Sequence, residues 1–174
     1  ARLGMWVFMG SESLLFAALF GLYAAYRAEY PAAFDLGMGL TAHTLGAVDT
    51  ALLLTSSLFA ALAVEAVEHG RRNAARVLAT LTIALGIAFL VLKGAEYAEH
   101  FRAGMIFGGH THFFVEHPTR GLPVFVTLYY LMTGLHALHV AAGIVILIWL
   151  VVALTRGRIT AEVSHPFEIG VLYW

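Results

Sequence analysis

An uncharged apolar run from Leu122 to Leu154 is the feature that most constrains the fold of this chain. The run contains no Asp, Glu, Lys or Arg, yet it carries two histidines, His136 and His139. On an α-helix their three-residue spacing places both imidazoles on one face, about one turn apart. Because a polar group loses its hydration in hydrocarbon, that face is expected to pack against other helices rather than lipid.

The composition indicates where those other helices come from. Of the 174 residues, 60% are hydrophobic and 12% are charged, about half the charged fraction of a soluble domain. A spanning helix needs about 20 apolar residues, so the sequence predicts an all-α polytopic membrane helical bundle. We expect one membrane-embedded domain over residues 1–174, with four full transmembrane helices and the start of a fifth, at residues 3–26, 45–67, 77–100, 123–154 and 168–174.

Charge and cysteine content exclude several functions. The net charge of −1 gives no reason to expect a nucleic-acid partner. The chain has no cysteine, which excludes disulfides, thiolate metal sites and cysteine nucleophiles.

Arginines are distributed unequally between the two ends of the predicted spans. The positive-inside rule makes the arginine-richer side cytoplasmic, so the N-terminus is expected in the cytoplasm. Four arginines on that side are candidates for binding anionic lipid headgroups. They are Arg71, Arg72, Arg156 and Arg158.

Glu12 is the charged residue inside the first span, roughly 14 Å from its start. Burial favours the neutral form of a carboxyl group. The residue is therefore expected either to hydrogen-bond between helices or to exchange protons, with His136 or His139 as its partner. Both roles stay open at the level of the sequence.

Two polar segments lie near the end of the third predicted span and in the loop that follows it. Lys93 and Glu96 have the i, i+3 spacing of a helical ion pair. The loop over residues 102–122 has residue types that suit a metal site or a docking surface, although its spacing matches no specific site. The residues concerned are His110, His112, Glu116 and His117.

A bound haem or di-iron centre is not expected. A bis-histidine haem site needs imidazoles from two helices at similar depth, and the histidines other than His136 and His139 lie at span ends or in loops. A di-iron site needs several carboxylates inside the bundle. We therefore expect no metal site, no catalytic residue and no cofactor bound by this chain.

Five motifs in order resemble subunit III of the haem–copper oxidases, in the short five-helix bacterial form. The most specific is Gly134-Leu135-His136-Ala137-Leu138-His139-Val140 with Gly143. The loop over residues 102–122 and Lys93 depart from the family pattern. The other motifs are Gly4–Phe8 with Ser11, Glu12 and Phe16; Leu52–Ser57; Glu96-Tyr97; and His165, Glu168 and Tyr173-Trp174.

The resemblance implies a non-catalytic subunit of a proton-pumping cytochrome c or quinol oxidase that reduces oxygen to water. Such a subunit packs against subunit I, in a complex with subunit II. Haem and copper then belong to the partner subunits. The chain itself is expected to bind phospholipids and to support proton uptake, with Glu12 as the conspicuous membrane carboxylate.

Three alternatives to that interpretation stay open at the level of the sequence. A stand-alone proton channel or transporter would use Glu12, Asp49 and Glu96 as a relay, since isolated membrane acids mark such paths. A haem- or metal-binding redox protein would use His136 and His139. An accessory subunit of a nitric-oxide-reducing system is a third possibility, within the same family.

Overall fold

The computed structural model describes residues 2–41, 43–105, 112–159 and 165–174, without side chains for residues 2 and 43–45. Within these ranges the secondary structure is helical, which confirms the predicted class. The helices are α1 (Arg2–Glu29), α2 (Pro31–Leu40), α3 (His43–Glu68), α4 (Arg72–Arg102), α5 (His112–Glu116), α6 (Leu122–Thr155) and α7 (His165–Tyr173).

Four of the described helices, α1, α3, α4 and α6, are long and apolar enough to cross a membrane. They confirm the four predicted spans, and the nine-residue helix α7 lies where the start of a fifth helix was predicted. The chain turns from α3 into α4 at Gly70, whose φ of +69° suits glycine. The Arg71 amide donates to the Ala66 carbonyl and the Gly70 amide to the Val67 carbonyl, so Gly70 caps the C-terminal end of α3.

The predicted spans leave residues 27–44 outside the transmembrane helices, and part of this segment forms α2. Pro31 occupies the first turn of this helix, where a missing backbone N–H costs nothing. Ala33 and Phe34 are fully buried. The proline that ends α1 therefore also starts α2, and packing of Phe34 stabilises a helix despite the two glycines near its end.

The helices divide into two compact units. The first unit contains Leu3–Ala47 and Lys93–His136. Its core is rich in aromatic side chains, with Phe34 in edge contact with Tyr23 and Phe125 at centroid distances of 5.0 and 5.2 Å. Leu122 and Val126 of α6 complete the same cluster.

The second unit contains Val48–Leu92 and Ala137–Trp174. Its core has smaller side chains on α3 and α4, such as Ala63 and Ala79, which pack against Leu147 and Leu150 of α6 and Phe167 of α7. Small residues on two of the helices allow close approach, as is common among transmembrane helices.

Candidate functional site

The polar side chains predicted from the sequence lie in several separate places. Within the first unit, Phe16 makes an edge contact with His136 at a centroid distance of 6.5 Å. Phe16 follows Glu12 by four residues, so the two side chains share one face of α1. This face of α1 is therefore the one turned towards His136 of α6.

His139 has different neighbours from His136. Its ring stacks on Tyr173 at a centroid distance of 6.3 Å. The Tyr173 hydroxyl donates a hydrogen bond of 3.4 Å to the His139 backbone carbonyl. The two imidazoles thus contact different helices, α1 for His136 and α7 for His139, although they lie one turn apart.

The predicted pair of Lys93 and Glu96 is present. The Lys93 ammonium donates to Glu96 Oε2 over 2.6 Å, with the two side chains only 12% and 7% exposed. The Tyr129 hydroxyl donates a hydrogen bond to the other carboxylate oxygen, Oε1. A cation from α4 and a phenol from α6 therefore share one carboxylate.

A second hydrogen bond joins the same two helices one turn away. The hydroxyls of Tyr97 and Thr133 are hydrogen-bonded to each other. The Thr133 hydroxyl also contacts the Tyr129 carbonyl at 2.6 Å, within α6. Nearby, the Tyr130 hydroxyl donates to the Met105 carbonyl over 2.9 Å. The ends of α4 and α6 in the first unit are thus joined by polar contacts inside an aromatic core.

In the second unit, the Trp174 indole occupies a narrow space against α3, α4 and α6. Its Nε1 donates to the Ser56 hydroxyl over 3.2 Å. A Cβ added at Gly86 would lie 2.6 Å from the indole, and one added at Gly143 would lie 2.8 Å from it. Glycine is thus required at both positions by the indole, which explains Gly143 in the histidine motif.

The four candidate arginines are exposed and occupy two turns of the second unit. Arg71 and Arg72 follow Gly70, and Arg156 and Arg158 flank Gly157, whose φ is +70°. Side chains beside both turns belong to one buried cluster, among them Ala66, Ala75, Ala153 and Leu154. The fold therefore brings both pairs of arginines to one end of this unit.

The histidine-rich loop does not form a metal centre in the part that the structure describes. Nδ1 of His112 and Oε1 of Glu116 are 3.4 Å apart, on side chains that are 84% and 59% exposed. His117 stacks on Phe113 and hydrogen-bonds its carbonyl. No group of three or more potential ligands occurs among the described residues, and His110 lies outside them.

Sequence reasoning did not predict the specific polar contacts that Tyr129 and Trp174 make. The helical spacing predicted Lys93 with Glu96, because that contact is local. No local pattern selects Tyr129 from its tyrosine neighbours, since its contact spans 33 positions. An aromatic residue with a polar tip in an uncharged span was the one available signal.

The chain matches the family model described as cytochrome c oxidase subunit III over residues 1–174. It is 35% identical to the cytochrome c oxidase subunit 3 of Alkalihalophilus pseudofirmus, over 99% of this chain and 77% of that protein. It is 28% identical to the quinol oxidase subunit 3 of Bacillus spizizenii, over 99% and 78%. It is 29% identical to the cytochrome bo(3) ubiquinol oxidase subunit 3 of Pseudomonas aeruginosa, over 98% and 75%.

Four apolar helices and a match along the whole sequence agree with each other and with the motifs. The chain is a multi-pass membrane protein that belongs to the cytochrome c oxidase subunit III family, and it is a subunit of an oxidase complex.

Proposed function

We propose that the chain is the non-catalytic subunit III of a proton-pumping haem–copper oxidase that reduces oxygen to water. It stabilises subunit I, which carries the haem and copper, in a complex that also contains subunit II. It contributes no active site of its own. The match of the subunit III family to the entire chain is the observation that carries this proposal.

The surface of α1 supports a role in packing against a larger partner. Only 6% of the most apolar window of this helix is buried within the chain. Large apolar side chains along it are exposed, among them Trp6, Leu14 and Phe20. Lipid or the neighbouring subunit I covers this surface in the assembled oxidase.

Glu12 and His136 are the proposed proton-exchanging pair of the subunit. The contact between Phe16 and His136 supports it, because Phe16 and Glu12 share a helix face. A carboxyl group and an imidazole at membrane depth can each accept and release protons during turnover. His139 takes the structural role beside Tyr173. The pair supports proton uptake by subunit I rather than carrying out the oxygen chemistry.

The arginines at one end of the second unit are the proposed sites for phospholipid headgroups. Arg71, Arg72, Arg156 and Arg158 are exposed, as binding of an anionic headgroup requires. The positive-inside rule supports a cytoplasmic position for this end, because the arginine-rich side of a membrane protein tends to lie in the cytoplasm. In this proposal the chain lies in the inner membrane of a bacterium with its N-terminus in the cytoplasm, and the histidine-rich segment with His112, Glu116 and His117 contacts a partner.

Replacement of Glu12 by Gln in the assembled oxidase tests this function. The variant keeps the size and hydrogen-bonding capacity of the side chain but cannot exchange a proton. We expect the complex to assemble with its haem content unchanged and proton uptake to slow modestly, by less than about tenfold, because the pair assists uptake by subunit I and is not the general acid or base of the reaction, whose loss would cost about 100-fold or more. Glu68→Gln, which removes an exposed carboxylate at the end of α3, is the matched control.

Proton uptake is followed with a pH indicator during single turnover of the purified complex. Equal rates in Glu12→Gln and Glu68→Gln contradict a proton role for Glu12. Loss of the whole chain from the complex in Glu12→Gln shows instead that this residue is chiefly structural.

A further inference from the structure

Lys93 and Glu96 form an ion pair within one of the membrane-crossing helices. Their charged atoms are 2.6 Å apart, and both side chains are nearly inaccessible. Neither residue lies at the extreme end of α4, which continues to Arg102. The pair is therefore held largely away from water, where a lone charge is expensive and a paired charge is tolerated.

Tyr129 completes the coordination of the carboxylate. Its hydroxyl donates to Oε1 of Glu96, while the Lys93 ammonium donates to Oε2. One oxygen of Glu96 thus accepts a hydrogen bond from its own helix, α4, and the other oxygen accepts one from α6. Hydrogen bonds to an ionised acceptor are about twice as strong as neutral ones, so this arrangement favours the charged carboxylate over the neutral acid.

Other titratable groups lie near the pair, and the contacts described for them involve groups other than the Glu96 carboxylate. His100 lies one turn further along α4, with its ring 5.7 Å from that of Tyr129. The hydroxyl of Tyr97 bonds to Thr133, and that of Tyr130 bonds to the Met105 carbonyl. The nearest further carboxylate on α4, Glu99, is exposed.

We propose that Lys93, Glu96 and Tyr129 form a buried ion-pair site in which Glu96 stays ionised and exchanges no protons, and in which Lys93 is its fixed counter-charge. The site ties α4 to α6 in the first unit. Lys93 acts as a positioning residue, because it holds the carboxyl group in the ionised form, to which the Tyr129 hydroxyl donates its stronger hydrogen bond.

This site gives Glu96 a different role from Glu12, although both are carboxylates within apolar spans of the sequence. Glu96 accepts bonds from a cation and a phenol, whereas Glu12 lies on a helix face that is turned towards a histidine. A relay that passes protons through Glu96 would have to break its contact with Lys93 at every step. Glu96 is thus a structural anion, and the relay through Glu12, Asp49 and Glu96 loses one of its members.

Infrared spectroscopy of the purified oxidase complex tests the ionisation state. A protonated carboxyl group has a carbonyl stretching band that a carboxylate lacks. We expect no such band in the spectrum of the unmodified complex minus that of Glu96→Gln. We expect the band to appear in Lys93→Met minus Lys93→Met/Glu96→Gln, because loss of the counter-charge neutralises the acid. The double variant serves as the reference for the unmodified complex if Glu96→Gln fails to assemble.

Assembly of the same variants tests the pairing. Removing one partner of a buried pair is far more damaging than removing both, so the amount of chain retained in the complex should fall at least about tenfold in Lys93→Met. It should recover in Lys93→Met/Glu96→Gln and stay unchanged in Lys93→Arg, which keeps the positive charge. Glu99→Gln is the matched control for loss of a neighbouring carboxylate.

A carboxylic-acid band from Glu96 in the unmodified complex overturns the proposal. Retention that is equal in Lys93→Met and in the double variant overturns it as well, because the two residues then act independently.

Discussion

The indole nitrogen of Trp174 donates a hydrogen bond of 3.2 Å to the hydroxyl of Ser56, although the two residues are 118 positions apart. The Ser56 hydroxyl in turn donates to the Leu53 carbonyl over 2.8 Å. The same indole packs against Gly86 of α4 and Gly143 of α6. The Trp174 side chain thus contacts three helices of its unit. Substitutions that alter these contacts should therefore change the stability of the unit.

Gly86→Ala should destabilise the second unit. The added methyl group would meet the indole at 2.6 Å, and overpacking of this kind costs about 1–3 kcal/mol. Thermal unfolding of the purified complex, followed by circular dichroism or by release of the subunit, measures the effect. Gly94→Ala on the same helix is the control, because nothing lies within 4 Å of its added Cβ. Equal shifts in the two variants would contradict the packing of Trp174 described above.

Trp174→Phe and Ser56→Ala should be coupled. Each variant removes one side of a hydrogen bond, so their effects on the free energy of unfolding should differ from additivity by about 1 kcal/mol. The double variant completes the cycle. Strict additivity would mean that the indole nitrogen and the serine hydroxyl do not interact in the assembled protein.

Tyr129→Phe should cost more stability than Tyr97→Phe. The first variant removes a bond to an ionised acceptor, worth about 1.5–3 kcal/mol, and the second removes a neutral bond, worth about 0.5–1.5 kcal/mol. Both tyrosines lie in the same aromatic cluster, so the lost ring contacts are similar. Denaturation midpoints of the two variants provide the comparison, and the reverse order would count against an ionised Glu96.

Phe34→Ala tests whether α2 is part of the core. Phe34 is 0% exposed, and removal of a buried phenylalanine side chain costs about 3–5 kcal/mol. Phe20→Ala on α1, compared with Phe34→Ala in the full chain separated from its partner subunits, is the matched control, because the Phe20 side chain is 59% exposed within the chain. Proteolysis between α1 and α3 reports local opening. Similar resistance to protease in both variants would contradict a buried position for Phe34.

Features with a local physical cause were predictable from the sequence. The spans follow from apolar length, the turn at Gly70 follows from a glycine between polar residues, and the pairing of Lys93 with Glu96 follows from their spacing. Helix α2 was not predicted, because Pro31 and the later glycines indicate a loop. The burial of Phe34 stabilises that helix through contacts with distant residues, which no short window of sequence contains.

The candidate site was predicted in part. The sequence singled out Glu12, His136 and His139, and their functional roles stay proposals. It did not indicate that His136 contacts Phe16 while His139 contacts Tyr173, because both histidines share one helix face. The partner of Glu96 on α6 was also missed, since a tyrosine in an apolar span is equally suited to packing.

Purification of a tagged chain in mild detergent tests the central claim most directly. Mass spectrometry then identifies the co-purifying proteins, and an optical spectrum measures bound haem. The account predicts that a large subunit carrying haem and copper accompanies the chain, and that the haem leaves with that subunit when the two are separated. A chain that purifies alone, or that retains haem by itself, would contradict the account and make His136 and His139 candidate ligands.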